Sequence, residues 1–219
     1  MKIVILAGGK GTRLSEETNL IPKPMSLIGD MPIIYHIMKN FRYYGFKDFI
    51  ILVGYKSFKI KEYFENFYRY TSNIEINLKT NKNKILNNSL DDFKIKIIET
   101  GLDTLTGGRI LRAKKYIGNN DFFLTYGDCI SDVNIKQLLN SHKKNKKSAT
   151  VTAVNPRTQY GSLKIDKNLV TSFKEKPYLS DNLISGGYFV FKSNIFKLLK
   201  DDKTILEREP LETLAKNKQ

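Results

Sequence analysis

The segment Met1–Leu14, MKIVILAGGKGTRL, decides how the chain is read. Lys2 to Ala7 is apolar and rich in β-branched residues, the composition of a buried strand. Glycines follow at 8, 9 and 11, so the strand must run out into a loop at its carboxyl end. In open α/β sheets that edge is where ligands bind. The loop lacks the Gly-x-Gly-x-x-Gly spacing of dinucleotide folds and the terminal Gly-Lys-Ser/Thr of P-loop proteins. It keeps their chemistry, because glycines let backbone N–H groups close on a polyphosphate, Thr12 adds a hydroxyl donor and Arg13 a rigid fork of charged donors. Soon after, Lys23 stands between Pro22 and Pro24, whose rings restrict its backbone and can aim its ammonium at the same phosphates.

Outward from this segment, strand and helix patterns alternate. MPIIYHIMKNFRYYG has apolar residues at helical spacing and stops at Gly45, and KDFIILVGY reads as a second buried strand, which completes a βαβ unit. Phe58 to Tyr70 predicts a helix and Ile74 to Thr80 a strand, and the polar NKNKILNNSLDDF is an excursion or hairpin before the strand FKIKIIET. GGRILRAKKYI is a helix that begins at glycines. DFFLTYGD is a central strand that delivers Asp128 to the same edge as the glycine loop, where a carboxylate can hold a divalent cation against phosphates. Ser131 or Asp132 is placed to cap the next helix, VNIKQLL.

The second half is richer in strands: SATVTAV, the pair GSLKI and LVTSFKEK about a turn at Asp166 to Asn168, and GGYFVF, before helical NIFKLLK and EREPLETLAK. The expected fold class is α/β: a Rossmann-like, mostly parallel twisted sheet flanked by helices, with a small added mixed β-sheet. With 219 residues and 41% hydrophobic content the chain can bury one sizeable core, so a single domain over 1–219 is expected.

Bulk composition removes several function classes. No apolar run approaches the roughly 20 residues of a membrane span, and KIVILA is too short for a signal peptide, so a cytoplasmic protein without a membrane partner is expected. One cysteine, Cys129, and two histidines, His36 and His142, cannot assemble a zinc site. Any metal must therefore sit on carboxylates, which favours magnesium. The net charge of +15 raises nucleic-acid binding, but the lysines are spread along the chain, with HKKNKKS at His142 to Ser148 the densest cluster, and no RRM, KH, helix-turn-helix or zinc-finger pattern accompanies them. No nucleic-acid partner is expected.

Taken in order, LAGGKGTRLSEET, IPKPM, TGGRI, TYGD, FKEKP, SGGYFVF and EREPLETLA resemble the sugar nucleotidyltransferases from Met1 to about Lys216, and within them the glucose-1-phosphate cytidylyltransferases. The resemblance implies transfer of a cytidylyl group from CTP to a sugar 1-phosphate, most simply glucose 1-phosphate, with Mg2+ as cofactor and a homo-oligomeric enzyme of surface-polysaccharide biosynthesis. It assigns Leu6, Ala7, Gly8, Gly9, Gly11, Thr12 and Arg13 to the nucleotide, with Thr106, Gly107, Gly108 and Arg109 beside it, Arg109 reaching the phosphates. Arg13 and Lys23 are its catalytic residues, and Lys23 also meets the sugar phosphate together with Glu175, Lys176, Ser185, Gly186 and Gly187, the last leaving room for the sugar ring. Asp128 is its metal ligand. Read from the residues alone, Glu207 and Glu209 are acidic first-turn residues of a helix and Tyr126 is core.

Two departures from the pattern bear on this expectation. The family continues past the EPLETLA helix into a segment with a second metal-binding aspartate, whereas this sequence ends at Gln219. Ser185 stands where the family has asparagine. A transferase for another nucleotide or acceptor, and a nucleotide-binding protein with impaired turnover, therefore stay open as alternatives.

Overall fold

A computed structural model describes residues 1–11, 21–86, 91–156, 162–175 and 183–219. Thr12, Arg13 and Lys176 lie outside the described residues.

A six-stranded sheet is the centre of the fold, in the order β7-β4-β1-β8-β12-β9. Its strands are β1 (Lys2–Ala7), β4 (Asp48–Val53), β7 (Lys94–Glu99), β8 (Phe122–Tyr126), β9 (Ala149–Val154) and β12 (Ile184–Phe191). The first four run parallel, with Ile3 beside Phe49 on one side and Phe123 on the other. β12 is antiparallel to both β8 and β9, so the mixing of strand direction occurs within the main sheet. Further β structure forms two-stranded antiparallel ribbons: β2 (Leu27–Ile28) with β3 (Met31–Pro32), β5 (Ile74–Asn77) with β6 (Lys82–Ile85), and β10 (Ser162–Asp166) with β11 (Leu169–Lys174).

Helices cover both faces of the sheet, which is why its central strands β1, β4 and β8 are near-continuous apolar runs rather than alternating ones. Ile3 and Ile5 face the helix Ile33–Tyr43 through Ile34, Ile37 and Phe41, while Val4 and Leu6 face Ile110, Ala113 and Ile117 on the opposite side. Both layers are closed to water, with Ile3, Val4 and Ile5 each 0% exposed. Both layers are close-packed, and this rigidity fixes where the strands end.

Local differences from the sequence reading have physical causes. The predicted helix from Phe58 to Tyr70 breaks at Asn66, whose backbone leaves the helical region between Ser57–Glu65 and Phe67–Thr71. The predicted strand to Thr80 stops at Asn77, where the Asn77 side chain accepts the Thr80 N–H and turns the chain back into β6. Neither Ser131 nor Asp132 caps the helix Ile135–Asn145: Asn134 Oδ1 accepts the Gln137 N–H at 2.9 Å, while Ser131 Oγ serves Val133 one turn earlier. Between β10 and β11 the expected turn is present, with Lys167 and Asn168 both at positive φ, the geometry that suits the right-handed twist of a hairpin.

Candidate functional site

The carboxyl ends of β1 and β8 lie side by side, Leu6 paired with Tyr126 and the Gly127 N–H donating to Leu6 O at 2.8 Å. The loop Gly8–Gly11 and Asp128 therefore emerge at the same edge, around a cavity of about 460 Å³. A third element joins them. Lys23–Met25 is a short 3-10 turn with Pro24 buried, and a Cβ on Gly127 would lie 2.8 Å from Pro24 Cγ. The proline ring packs where only glycine leaves space, and Lys23 is thereby delivered to the cavity wall.

Across the opening, Lys23 Nζ donates to Asp128 Oδ2 at 3.3 Å, with side chains 26% and 43% exposed. This is a long, partly hydrated ion pair, of a kind that contributes little stability. Lys10 and Asp103 form a second exposed pair at 2.9 Å between the glycine loop and the chain after β7, and the bond to Lys10 lowers the Asp103 carboxyl below its usual range. Among the described residues that line the cavity, Asp128 is the one carboxylate.

Beneath the loop, Arg109 lines the cavity, is 4% exposed and is held by the protein's own acceptors. Its Nη1 donates to Thr100 Oγ1 at 2.7 Å, to Gly101 O at 2.8 Å and to Val53 O at 3.2 Å, and its Nη2 donates to Gly8 O at 2.9 Å. One planar guanidinium thus ties together the chain just past β1, β4 and β7. A Cβ on Gly8 would fall 2.1 Å from Arg109 Nη1, so Gly8 is glycine because the arginine passes directly against it. Gly11, by contrast, has φ +67°, the left-handed region. Burial is the main influence that lowers the Arg109 pKa, followed by repulsion from Arg112, with Glu99 opposing them.

The helix Thr106–Arg112 begins at the cavity and is packed tightly from behind. Cβ atoms on Gly107 and Gly108 would lie 2.7 Å from Thr204 Cγ2 and 2.5 Å from Asp202 O, so these glycines admit a neighbouring backbone. Thr104, Leu105 and Thr106 line the cavity with Leu6, Ala7 and Gly9. Tyr126, read from sequence as core, does pack against the core and also lines the cavity, and its hydroxyl donates to Glu207; burial, with that carboxylate, pushes its phenol above the usual range. Glu207 precedes the helix Glu209–Lys216 instead of opening it, whereas Glu209 does lie in its first turn, as expected.

On the expected sugar side, Ser185, Gly186 and Gly187 form a bulge where β12 and β9 lose register. Gly187 has φ +75°, and a Cβ there would meet Cys129 Sγ at 2.7 Å and Tyr126 Cδ2 at 3.4 Å. Its bareness allows this close approach beside Asp128. Burial, then Asp128, raises the Cys129 pKa, which leaves it a packing group and not a thiolate. Glu175 lies at the exposed end of β11 and is not among the cavity-lining residues.

A parallel sheet with a glycine loop, a cation and a carboxylate at its carboxyl edge defines a nucleotide-binding α/β protein. The chain belongs to the nucleotidyl transferase family, whose model matches residues 2–218. It is 46% identical over 218 residues to a probable glucose-1-phosphate cytidylyltransferase of Bacillus subtilis (strain 168), covering 99% of this chain and 85% of that one. It is 44% identical over 216 residues to the glucose-1-phosphate cytidylyltransferase of Salmonella typhi, covering 98% and 84%. Among solved structures it is similar to HddC from Yersinia pseudotuberculosis complexed with GMP-PN, with a TM-score of 0.67, 26% identity, and coverage of 95% of this chain and 84% of that one.

Proposed function

We propose that the protein transfers the cytidylyl group of CTP to a sugar 1-phosphate, glucose 1-phosphate in the first instance, and forms a CDP-sugar and pyrophosphate. A phosphate oxygen of the sugar 1-phosphate forms a bond to the α-phosphorus of CTP, and the bond from that phosphorus to the bridging oxygen of pyrophosphate breaks, with its electron pair leaving on pyrophosphate. Little covalent help is needed; positioning two anions and neutralising charge on the transferred group carry most of the rate. The observation that carries the reading is the cavity at the strand ends, where Lys23 and Asp128 face each other beside the glycine loop. The similarity to cytidylyltransferases over nearly the whole chain supports the choice of nucleotide.

In this reading Gly8, Gly9 and Gly11, with Thr12 and Arg13 by resemblance, receive the triphosphate. Lys23 leaves Asp128 to bridge the two reacting phosphates. The donor set suits a metal that arrives with its substrate: among the described residues no cluster of three His, Cys, Asp or Glu could hold an ion, and Mg2+ commonly takes one or two carboxylates plus phosphate oxygens and water. Asp128 would hold it, and the ion would supply charge neutralisation at the phosphates. A cytoplasmic location is part of this proposal; among the described residues no helix is long and apolar enough to cross a membrane. Exposed Ile165, Leu169, Val170 and Phe173 on β10 and β11 favour a homo-oligomer.

The test is pyrophosphate release with Mg2+, glucose 1-phosphate and CTP, dTTP, UTP, GTP or ATP in parallel. Release with CTP alone is expected. Release with another nucleotide alone would move the reading to that nucleotide, and silence with all five, with CTP still bound in a calorimeter, would move it to another acceptor or to a binding protein.

A further inference from the structure

One wall of the cavity is supported by a residue that the reaction scheme does not use. Thr106 opens its helix, Tyr126 ends β8, and both line the cavity. The Glu207 carboxylate spans them: Oε2 accepts from Thr106 Oγ1 at 2.6 Å, and Oε1 accepts from the Tyr126 hydroxyl. Thr106 Oγ1 itself accepts the Leu206 N–H at 2.9 Å, so its one proton and one of its lone pairs are already engaged.

Glu207 is also well anchored for an exposed side chain. Thr204 O accepts the N–H groups of Gly107 at 2.9 Å and Gly108 at 3.2 Å, Asp202 O accepts the Leu105 N–H at 2.8 Å, and the neighbouring Leu206 is 0% exposed. The segment before the last helix is thus bonded along the start of the cavity helix, and Glu207 carries that attachment across to β8.

We propose that Glu207 is a positioning residue for the nucleotide, one that holds the Thr106 hydroxyl and the Tyr126 phenol on its two oxygens and so fixes the wall between the helix start and the Asp128 end of β8. With both hydroxyl protons committed to Glu207, neither group can turn its donor into the cavity, and the wall offers the nucleotide the Tyr126 ring and Leu105 in one arrangement. Loss of the carboxylate frees two hydroxyls and leaves strand end and helix start to move independently. Because Glu207 bonds Thr106 and Tyr126 and not Lys23, the consequence falls on nucleotide affinity and not on the chemical step. This inference rests on reading the cavity as the nucleotide site.

Calorimetric titration of CTP with Mg2+ on the wild-type protein, Glu207→Gln, Glu207→Ala, Tyr126→Phe and the Glu207→Ala/Tyr126→Phe pair tests it, with KM, kcat and thermal midpoint measured on each. Glu207→Ala is expected to weaken binding and raise KM by about tenfold, the usual scale for a lost hydrogen-bonding charge, with kcat within about threefold. Glutamine can accept from one hydroxyl and donate to the other, so Glu207→Gln is expected to stay within about threefold of wild type. The double variant should bind no worse than Glu207→Ala alone, because both changes cut one link. Tyr126→Phe removes a single oxygen and keeps the measurement readable should Glu207→Ala fold poorly. Unchanged affinity in Glu207→Ala and Tyr126→Phe, or a fall in kcat with KM constant, overturns the proposal, and so does equal damage from glutamine and alanine. If the wild-type protein binds none of the five nucleotides, the nucleotide reading itself fails and takes this inference with it. If it binds one other than CTP, the same series on that nucleotide tests Glu207 independently.

Discussion

The buried Arg109 and the open Lys23–Asp128 pair lie at the same strand edge and are built on opposite terms. Arg109 is 4% exposed and spreads its donors over the Gly8, Val53 and Gly101 carbonyls and the Thr100 hydroxyl. Lys23 has one carboxylate partner, at 3.3 Å, with both side chains open to water. A group that spends most of its donors inside the protein can shape a site but has little left to offer a ligand. A group with one weak, hydrated partner can exchange it for a phosphate or a cation at small cost. The edge thus separates the residues that shape the loop from those free to change partners.

The largest effect that sharpens this contrast is expected at Arg109. Arg109→Ala takes the donor from Gly101 O and Thr100 Oγ1, while Val53 O and Gly8 O keep the Thr100 and Tyr55 donors, and should lower folding stability by about 3 kcal/mol, the upper scale for an unsatisfied buried acceptor. Arg109→Lys should recover little, because a single ammonium cannot reproduce the planar fork. Urea unfolding measures both; a loss of nucleotide binding with unchanged stability would instead make Arg109 a ligand contact. Lys23→Ala should do the reverse, lowering turnover by about 10²–10³-fold, on the scale of one lost charge-stabilising donor, with stability within about 0.5 kcal/mol of wild type. Initial rates of pyrophosphate release, set against the unfolding midpoint, separate the two outcomes.

Asp128→Asn is a smaller and more diagnostic change. It removes the competitor for Lys23 and the proposed metal ligand together. Without Mg2+ the variant should bind CTP a few-fold more tightly than wild type, and with Mg2+ more weakly, a crossover that calorimetry in EDTA and in Mg2+ reads directly. Weakening in both conditions would mean that Asp128 is needed to orient Lys23, and the two would then be a fixed unit instead of an exchangeable pair.

Much of this contrast was legible in the sequence, but unevenly. The apolar run Lys2–Ala7 and the glycines after it placed the loop, and Pro22 and Pro24 announced an immobilised Lys23, because these are local constraints carried by neighbouring residues. Asp128 followed from the strand TYGD alone. What stayed hidden was partnership across long chain separations. At Arg109 the sequence shows a charge but not the carbonyls at Gly8 and Gly101 that its donors meet. Tyr126 reads as core, which its packing bears out, but nothing near it in the chain announces the bond to Glu207. The sharp packing of Gly107 and Gly108 on Asp202 and Thr204 was invisible for the same reason.

His142 offers the gentlest test, because it is buried like Arg109 but poorly satisfied, and it lies at the opposite end of the strands, on the helix that precedes β9. It is 1% exposed; Nδ1 pairs with Thr150 Oγ1 at 2.9 Å, while Nε2 has no hydrogen-bond partner and faces Asp121 Oδ2 at 3.7 Å. Burial lowers its pKa most, Asp121 opposes that, and Lys192 adds to it. A folded-state pKa below the unfolded value of about 6.5 means that the unfolded chain binds the proton more readily. The stability from a neutral His142 is therefore complete above about pH 6.5 and is lost as pH falls toward the lower folded value. Urea midpoints at pH 7.5, 6.5 and 5.5 should drop in wild type and drop less in His142→Gln, which keeps an amide near Thr150 but cannot titrate. Parallel slopes would assign the loss to other groups and would mean that burial without a full set of partners is tolerated here at no cost, in contrast to what is expected around Arg109.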